Sequence, residues 1–265
     1  MSVGLKTPQA RFRVSHNLFA LQQLVVRDFK IRYRNMSLGM FWSLLNPLVL
    51  VGVYTFVFSK IFRNENIEHF PLYLLIGVIC YNYFSLAWTA ATSSLTSNAG
   101  LVKRINVPRE AIPVSTVLAN AIHFIVQFSL VLAFTLWVGI PIGFSWLWLP
   151  FVIVLLVLAV TGISLLTSAL DVYFRDTRYL VESTVLVLFW LTPVFYTEKM
   201  VPREYRALYL LNPITDAAIA MRQIIIEHRT PDLAALIYAV ATTCALLILG
   251  LAVFEQTKNR FADHL

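Results

Sequence analysis

Charge is scarce in this chain of 265 residues: Asp, Glu, Lys and Arg make up 13% of it, against 58% hydrophobic residues. A soluble domain carries about a quarter charged residues and a disordered one is poor in apolar residues, so both classes are excluded. Cysteine is nearly absent. Cys80 and Cys244, each inside an apolar run, supply neither a disulfide framework nor the spacing of a metal site, and are expected to be structural thiols. The motifs of hydrolytic and metal-dependent chemistry are missing as well: no HExxH pair, GxSxG elbow or DxD-like cluster occurs. GxxxxGK[ST] is missing too, so an ATP-driven activity needs a second chain to bind and split the nucleotide. The first 34 residues hold seven basic side chains and no central apolar stretch, which is not the make-up of a cleavable signal peptide.

What the chain has instead is a series of long apolar runs. Lipid offers the backbone no hydrogen-bond partners, so spanning segments are either helices of about 20 residues or closed barrels. Runs such as 151–160 do not alternate in and out as barrel strands do, which predicts an all-α integral membrane protein. Charge-free stretches place six spans at 41–59, 72–92, 114–138, 146–170, 179–195 and 233–254 within a single transmembrane domain covering 1–265. Gly139, Pro141 and Gly143 break the longest run into a hairpin. The fifth span is short, with Glu182 near its start and Pro193 near its end.

Six spans put both termini on one side. That side carries 14 of the 21 Lys and Arg residues and the whole net charge of +7, whereas the opposite side is neutral. The excess of base therefore sets topology and does not mark a nucleic acid partner; by the positive-inside rule both termini are cytoplasmic. Trp137, Trp146 and Trp148, beside the hairpin, fit an outer aromatic belt.

Three further segments are amphipathic without being spans. In 18–34, Gln23, Arg27, Lys30 and Arg34 share one helical face, and Leu18, Leu21, Val25 and Phe29 lie on the other, as in a helix resting in the headgroup plane. That helix is an electrostatic anchor to membrane lipids or a docking element for a protein. The segment 98–113 alternates apolar and basic residues, exposing Lys103 and Arg104 beside Leu101 and Ile105; it is either a solvated loop or a contact for a cytoplasmic partner. The third, 196–232, is too long and too apolar for an ordinary loop. Within it Asn212 caps and Pro213 opens a helix whose apolar stripe is Ile214, Ala217, Ala218, Met221, Ile224 and Ile225, with Asp216, Gln223 and Glu227 off it. The expectation is of short helices that dip into the outer leaflet or rest on it.

The span interiors hold little that ionises. His123 lies deep in the third and, lacking a carboxylate partner, is expected to make an interhelical hydrogen bond. Aromatic residues are plentiful: Tyr54 and Phe58 in the first span, and Trp190, Phe195 and Tyr196 at the end of the fifth, are candidates to line a path for a sliding amphiphilic chain, or else pack against lipid and neighbouring helices.

The stretch RDFKIRYRNMSLGMFWSLLNPL (27–48), with LVKRINVPREAIP (101–113), FYTEKMVP (195–202) and LNPIT (211–215), resembles the polysaccharide and polyol-phosphate exporter permeases of the ABC-2 type, most of all those for O-antigen. Capsule and teichoic acid permeases stand close behind. The resemblance implies a permease of the bacterial inner membrane without catalytic residues or a cofactor of its own. It would act as a homodimer above two ATP-binding cassette subunits that use Mg-ATP, with a lipid-linked polysaccharide as substrate. Carried over residue by residue, it puts Leu101, Lys103, Arg104 and Ile105 at the contact with the ATPase. Arg27, Asp28, Lys30, Arg32 and Arg34 fall on the interfacial helix near the lipid head. Pro202, Tyr205, Asn212 and Pro213 fall in the outer gate. A permease for drugs or lipids, and a membrane-embedded glycolipid transferase, are the competing readings; the missing catalytic constellation speaks against the second.

Overall fold

The computed structural model describes residues 8–34, 39–61, 67, 69–104, 108–205 and 209–265, which form helices and connections without a strand. Five helical stretches are long and apolar enough to cross a membrane: Phe41–Ile61, Phe70–Thr92, Ala111–Val138, Phe144–Tyr173 and Leu233–Arg260. The elements, in order, are α1 (Pro8–Tyr33), α2 (Phe41–Phe56, prolonged by a wide π-helical turn), α3 (Phe70–Thr92), the short α4 (Ser94–Ser97) and α5 (Ala99–Arg104), α6 (Ala111–Val138), α7 (Leu149–Tyr173), α8 (Thr177–Leu191), α9 (Pro213–Ile225), α10 (Leu233–Thr257) and a last turn, α11 (Phe261–His264).

The centre of the bundle is α3. A helix apolar on every side has to be covered on every side, and α2, α6, α7, α8 and α9 all pack against it. Leu72, Leu74, Leu75, Ile76, Ile79 and Phe84 are at most 2% exposed as a result. Between α6 and α7 the predicted hairpin is present. Gly139 takes φ +79°, a left-handed conformation that costs glycine nothing, and the next amide, of Ile140, bonds back to the Thr135 carbonyl at 3.1 Å.

The last long helix, α10, lies along α7 at backbone contact. A Cβ built on Gly162 would stand 2.6 Å from the Leu246 carbonyl carbon, so only glycine permits this approach. The first and last described helices meet at one end of the bundle, where Leu24 of α1 shares a cluster with Leu95, Val102, Ile112, Leu165, Phe254 and Phe261.

The fifth predicted span differs from expectation. It reads 179–195 in sequence, but α8 stops at Leu191 after 15 residues, a rise of about 22 Å against roughly 30 Å of hydrocarbon. Thr192 is extended because a residue preceding proline is driven out of the helical region.

Candidate functional site

Two regions, one at each end of the bundle, gather the residues singled out in the sequence. At the far end, opposite the chain termini, the turn after α8 carries Phe195 into the core, 5% exposed. Four rings surround it. Phe58 stacks on it at 5.0 Å with planes 10° apart, Tyr54 and Phe189 meet it edge-on at 5.3 Å, and Trp190 lies 5.7 Å away. Three of the five proposed conduit aromatics thus gather around a fourth, Phe195, which is the filled centre of the group, and of these only Trp190, 68% exposed, offers a broad free face. Tyr196 faces the other way. Together with Pro202, Tyr205, Asn212 and Pro213 it lines a largely apolar cavity of about 740 Å³. Phe84, Ile163 and Leu246, each from the middle of its helix, complete that wall.

Asn212 starts α9 as expected, its side-chain oxygen accepting from the Ile214 amide at 3.1 Å and its amide nitrogen donating to Thr192 Oγ1 at 3.2 Å. The environment of α9 is not the expected one. Every residue from Ile214 to Ile225 is buried, Asp216, Arg222 and Gln223 included, because α3, α7 and α10 cover all its faces. The apolar stripe is present, but Asp216 and Gln223 off it are enclosed as well, and only Glu227, beyond the helix end, is exposed, so the helix is a wall element of the bundle and does not lie on its surface.

Sequence reasoning missed Arg222. Its guanidinium donates to the carbonyls of Tyr73 (3.0 Å), Pro193 (2.6 Å) and Val194 (3.2 Å), and sits 3.4 Å from the centre of the Tyr73 ring. Burial pulls it below the usual arginine range. Gly77 makes the room, since a Cβ there would stand 2.5 Å from Arg222 Nη2. One arginine therefore pins α9 to α3 and to the turn that ends α8. Asp216, two turns earlier, has the opposite surroundings: neither carboxyl oxygen has a hydrogen-bond partner among the described residues, and burial pushes it up to about 8.

At the termini end, α1 lies against α6, and its Arg27 donates to Asn98, between α4 and α5, at 3.2 Å. Leu24 is buried, whereas Leu18 is 62% exposed, so the protein-facing side of α1 is rotated from the face drawn by periodicity. Asp28 and Arg32, grouped in sequence with the lipid-facing bases, turn inward. Arg32 donates to Asn120 at 2.5 Å, and burial pulls its guanidinium down; Asp28 pairs with Arg27 at 2.8 Å and accepts from Ser115 and Thr116, both at 3.3 Å. Lys30 and Arg34 stay exposed and, with Arg27 and Tyr33, line a cleft of about 720 Å³. Tyr33 shares a hydrogen bond of 2.6 Å with His123, the interhelical partner that its sequence context called for.

In the neighbouring α5, Lys103 is exposed but Leu101 is half-buried against the core cluster of the termini end, which leaves it a smaller part in any outside contact than its spacing suggests. The Arg104 side chain and Ile105 lie outside the described residues. Where α7 hands over to α8, Asp171 and Arg178 form an ion pair. Asp171, wholly buried, receives two hydrogen bonds from Arg178, at 3.1 and 3.2 Å, and one from Thr96 of α4 at 2.8 Å.

The described residues thus form a helical membrane bundle with a large apolar cavity at one end and a basic cleft at the other. The sequence pattern of the ABC-2 type transporter family matches residues 20–226, and the chain belongs to that family. It is similar over nearly its whole length to the O-antigen export system permease protein RfbA of Klebsiella pneumoniae, with 30% identity over 259 residues, 96% of this chain and 99% of that one. The Myxococcus xanthus permease of the same name is 28% identical over 92% of this chain and 95% of its own. The polysialic acid transport protein KpsM of Escherichia coli is 21% identical over 90% of this chain and 93% of its own.

Proposed function

We propose that this chain is the membrane subunit of an exporter that moves a lipid-linked polysaccharide of the O-antigen type across the bacterial inner membrane. It works as a homodimer with two ATP-binding cassette subunits that bind Mg-ATP on the cytoplasmic side. The observation that carries this reading is full-length similarity, at 28–30% identity, to permeases named for O-antigen export. The more distant relation to a polysialic acid transporter, at 21%, makes capsule export the second reading.

The geometry supports the same assignment. With α8 counted as a short sixth span, both termini and the face formed by Arg27, Lys30, Arg34 and Lys103 lie in the cytoplasm, where an ATPase and the phosphate of a lipid-linked glycan are met. The far segment is re-entrant: Asn212 and Pro213 lie beside mid-helix Phe84, Ile163 and Leu246, and α9 climbs back outward from that depth. Non-helical backbone at such a depth is tolerated only where protein or a cavity surrounds it, as here. Residues 196–232 then form the outer gate, with the Phe195 cluster beneath it.

The test is complementation. A strain lacking its own O-antigen permease and carrying undecorated lipid A receives this chain with its cognate ATPase, and surface polysaccharide is resolved by gel. Long-chain polysaccharide at the surface supports the reading; glycan retained inside while the protein is present in the membrane overturns it.

A further inference from the structure

Asp216 faces a cavity of about 20 Å³ between α9, α7 and α10, large enough for one water molecule. The carboxyl is 4% exposed and both its oxygens are without a hydrogen-bond partner among the described residues. The walls supply no charge to answer it. α7 contributes Val152, Leu155 and Leu156, α10 contributes Leu236, Ala239 and Thr243, and the connecting loop contributes Pro231. Gln223, on the same helix, has its carbonyl engaged by the Asp232 amide, and Arg222 is turned to Tyr73. Glu227, His228, Arg229 and Asp232, the titratable residues of that loop, are exposed.

An ionised carboxylate cannot be held in such a place, because nothing replaces the water it gave up, whereas a neutral carboxyl fits with one water reaching Thr243 or Gln223. We propose that Asp216 is a proton-binding site, occupied while α9 is seated against α7 and α10 and discharged to water when the helix lifts. The proposal rests on α9 being part of the outer gate. An aspartate exposed by lifting returns to the ordinary range near 3.8, whereas burial pushes the seated one up to about 8. Between those values the seated form keeps a proton that the lifted form has lost. Rising pH therefore favours the lifted form across that window and no further above it.

Two measurements on the full chain in lipid nanodiscs decide the matter. The infrared carbonyl band of a protonated carboxyl is compared between the unaltered chain and Asp216→Asn. A band unique to the unaltered chain at pH 6.5, disappearing with a midpoint near 8, is the expected result; its absence at pH 6.5 overturns the proposal. Ala239→Cys is then introduced with Cys80 and Cys244 replaced by alanine, and its modification by a water-soluble maleimide is followed at pH 5.5 and 8.5. While the lifted form is the minor one, linkage between those two values makes the rise over that interval about two orders of magnitude larger with Asp216 than with Asp216→Asn, which carries no titrating group. Equal rises in both backgrounds overturn the link to seating. If Asp216→Asn fails to accumulate, the pH course of the band in the unaltered chain still decides the first point. The band reports on the carboxyl whether or not the chain exports glycan, so failure of the export reading and failure of this one are separable.

Discussion

Arg222 and Tyr73 hold each other from two directions: the guanidinium lies 3.4 Å from the centre of the tyrosine ring and donates to the same residue's carbonyl at 3.0 Å. Tyr73 in turn donates its hydroxyl to the Tyr196 carbonyl at 2.6 Å. A buried charge balanced by neutral carbonyls and a ring face depends on every one of those contacts, because the interior offers no water to replace a lost one.

Arg222→Ala strips a donor from three carbonyls at once. At about 1–3 kcal/mol per unsatisfied buried group, and roughly 2–4 °C per kcal/mol, the melting temperature in detergent should fall by about 6 °C or more. Arg222→Lys, with one compact charge in place of a planar fork, should recover only part of that loss. Gly77→Ala should mimic Arg222→Ala by pushing the guanidinium from its seat. An unchanged melting curve for Gly77→Ala would show that the socket has room to spare.

The aromatic cluster separates packing from transport. Phe195→Ala empties its centre and should cost about 3–5 kcal/mol, lowering the melting temperature and the yield together. Trp190→Ala removes a ring that is 68% exposed and should leave the melting curve nearly unchanged. If Trp190 lines the glycan path between two subunits, that variant should shorten the exported chains on a polysaccharide gel; a normal length distribution assigns the ring to lipid contact.

At the termini end, Lys103→Glu with Arg104→Glu should leave the protein inserted while its ATPase no longer co-purifies with it. Leu101→Asp is a different matter, because Leu101 is half-buried against the core cluster there and the aspartate should also lower stability. Full retention of the ATPase by the double charge reversal would remove this helix from the contact.

The buried pair at the base of α8 invites a double-mutant cycle. Arg178→Met leaves Asp171 buried with Thr96 alone and should cost about 3–5 kcal/mol. Adding Asp171→Asn should restore much of the loss, since the uncompensated charge is gone. Purely additive losses in thermal unfolding would mean that the two side chains do not depend on each other.

The order of the hydrophobic runs, the charge asymmetry and a few stop signals were enough to read an all-helical membrane protein and to place most of its elements. Gly139 ends α6 and Asn212–Pro213 opens α9 because cap chemistry is local: a left-handed glycine, an accepting side chain and a fixed proline φ act on neighbours within one turn. The motifs shared with exporter permeases were legible for the same reason, being contiguous in sequence. Tertiary structure alone decided which polar residues would be enclosed. Arg222 finds its acceptors 149, 29 and 28 residues away, and Asp216 is shut in by α7 and α10, so no periodicity within α9 reveals either fate. The face of α1 was set in the same way, by Asn120, Ser115 and Thr116 of α6 drawing Arg32 and Asp28 inward. A hydrophobic pattern records which side of a helix is apolar; the burial of its polar side depends on which other helices arrive to cover it, and that is settled only when the bundle packs.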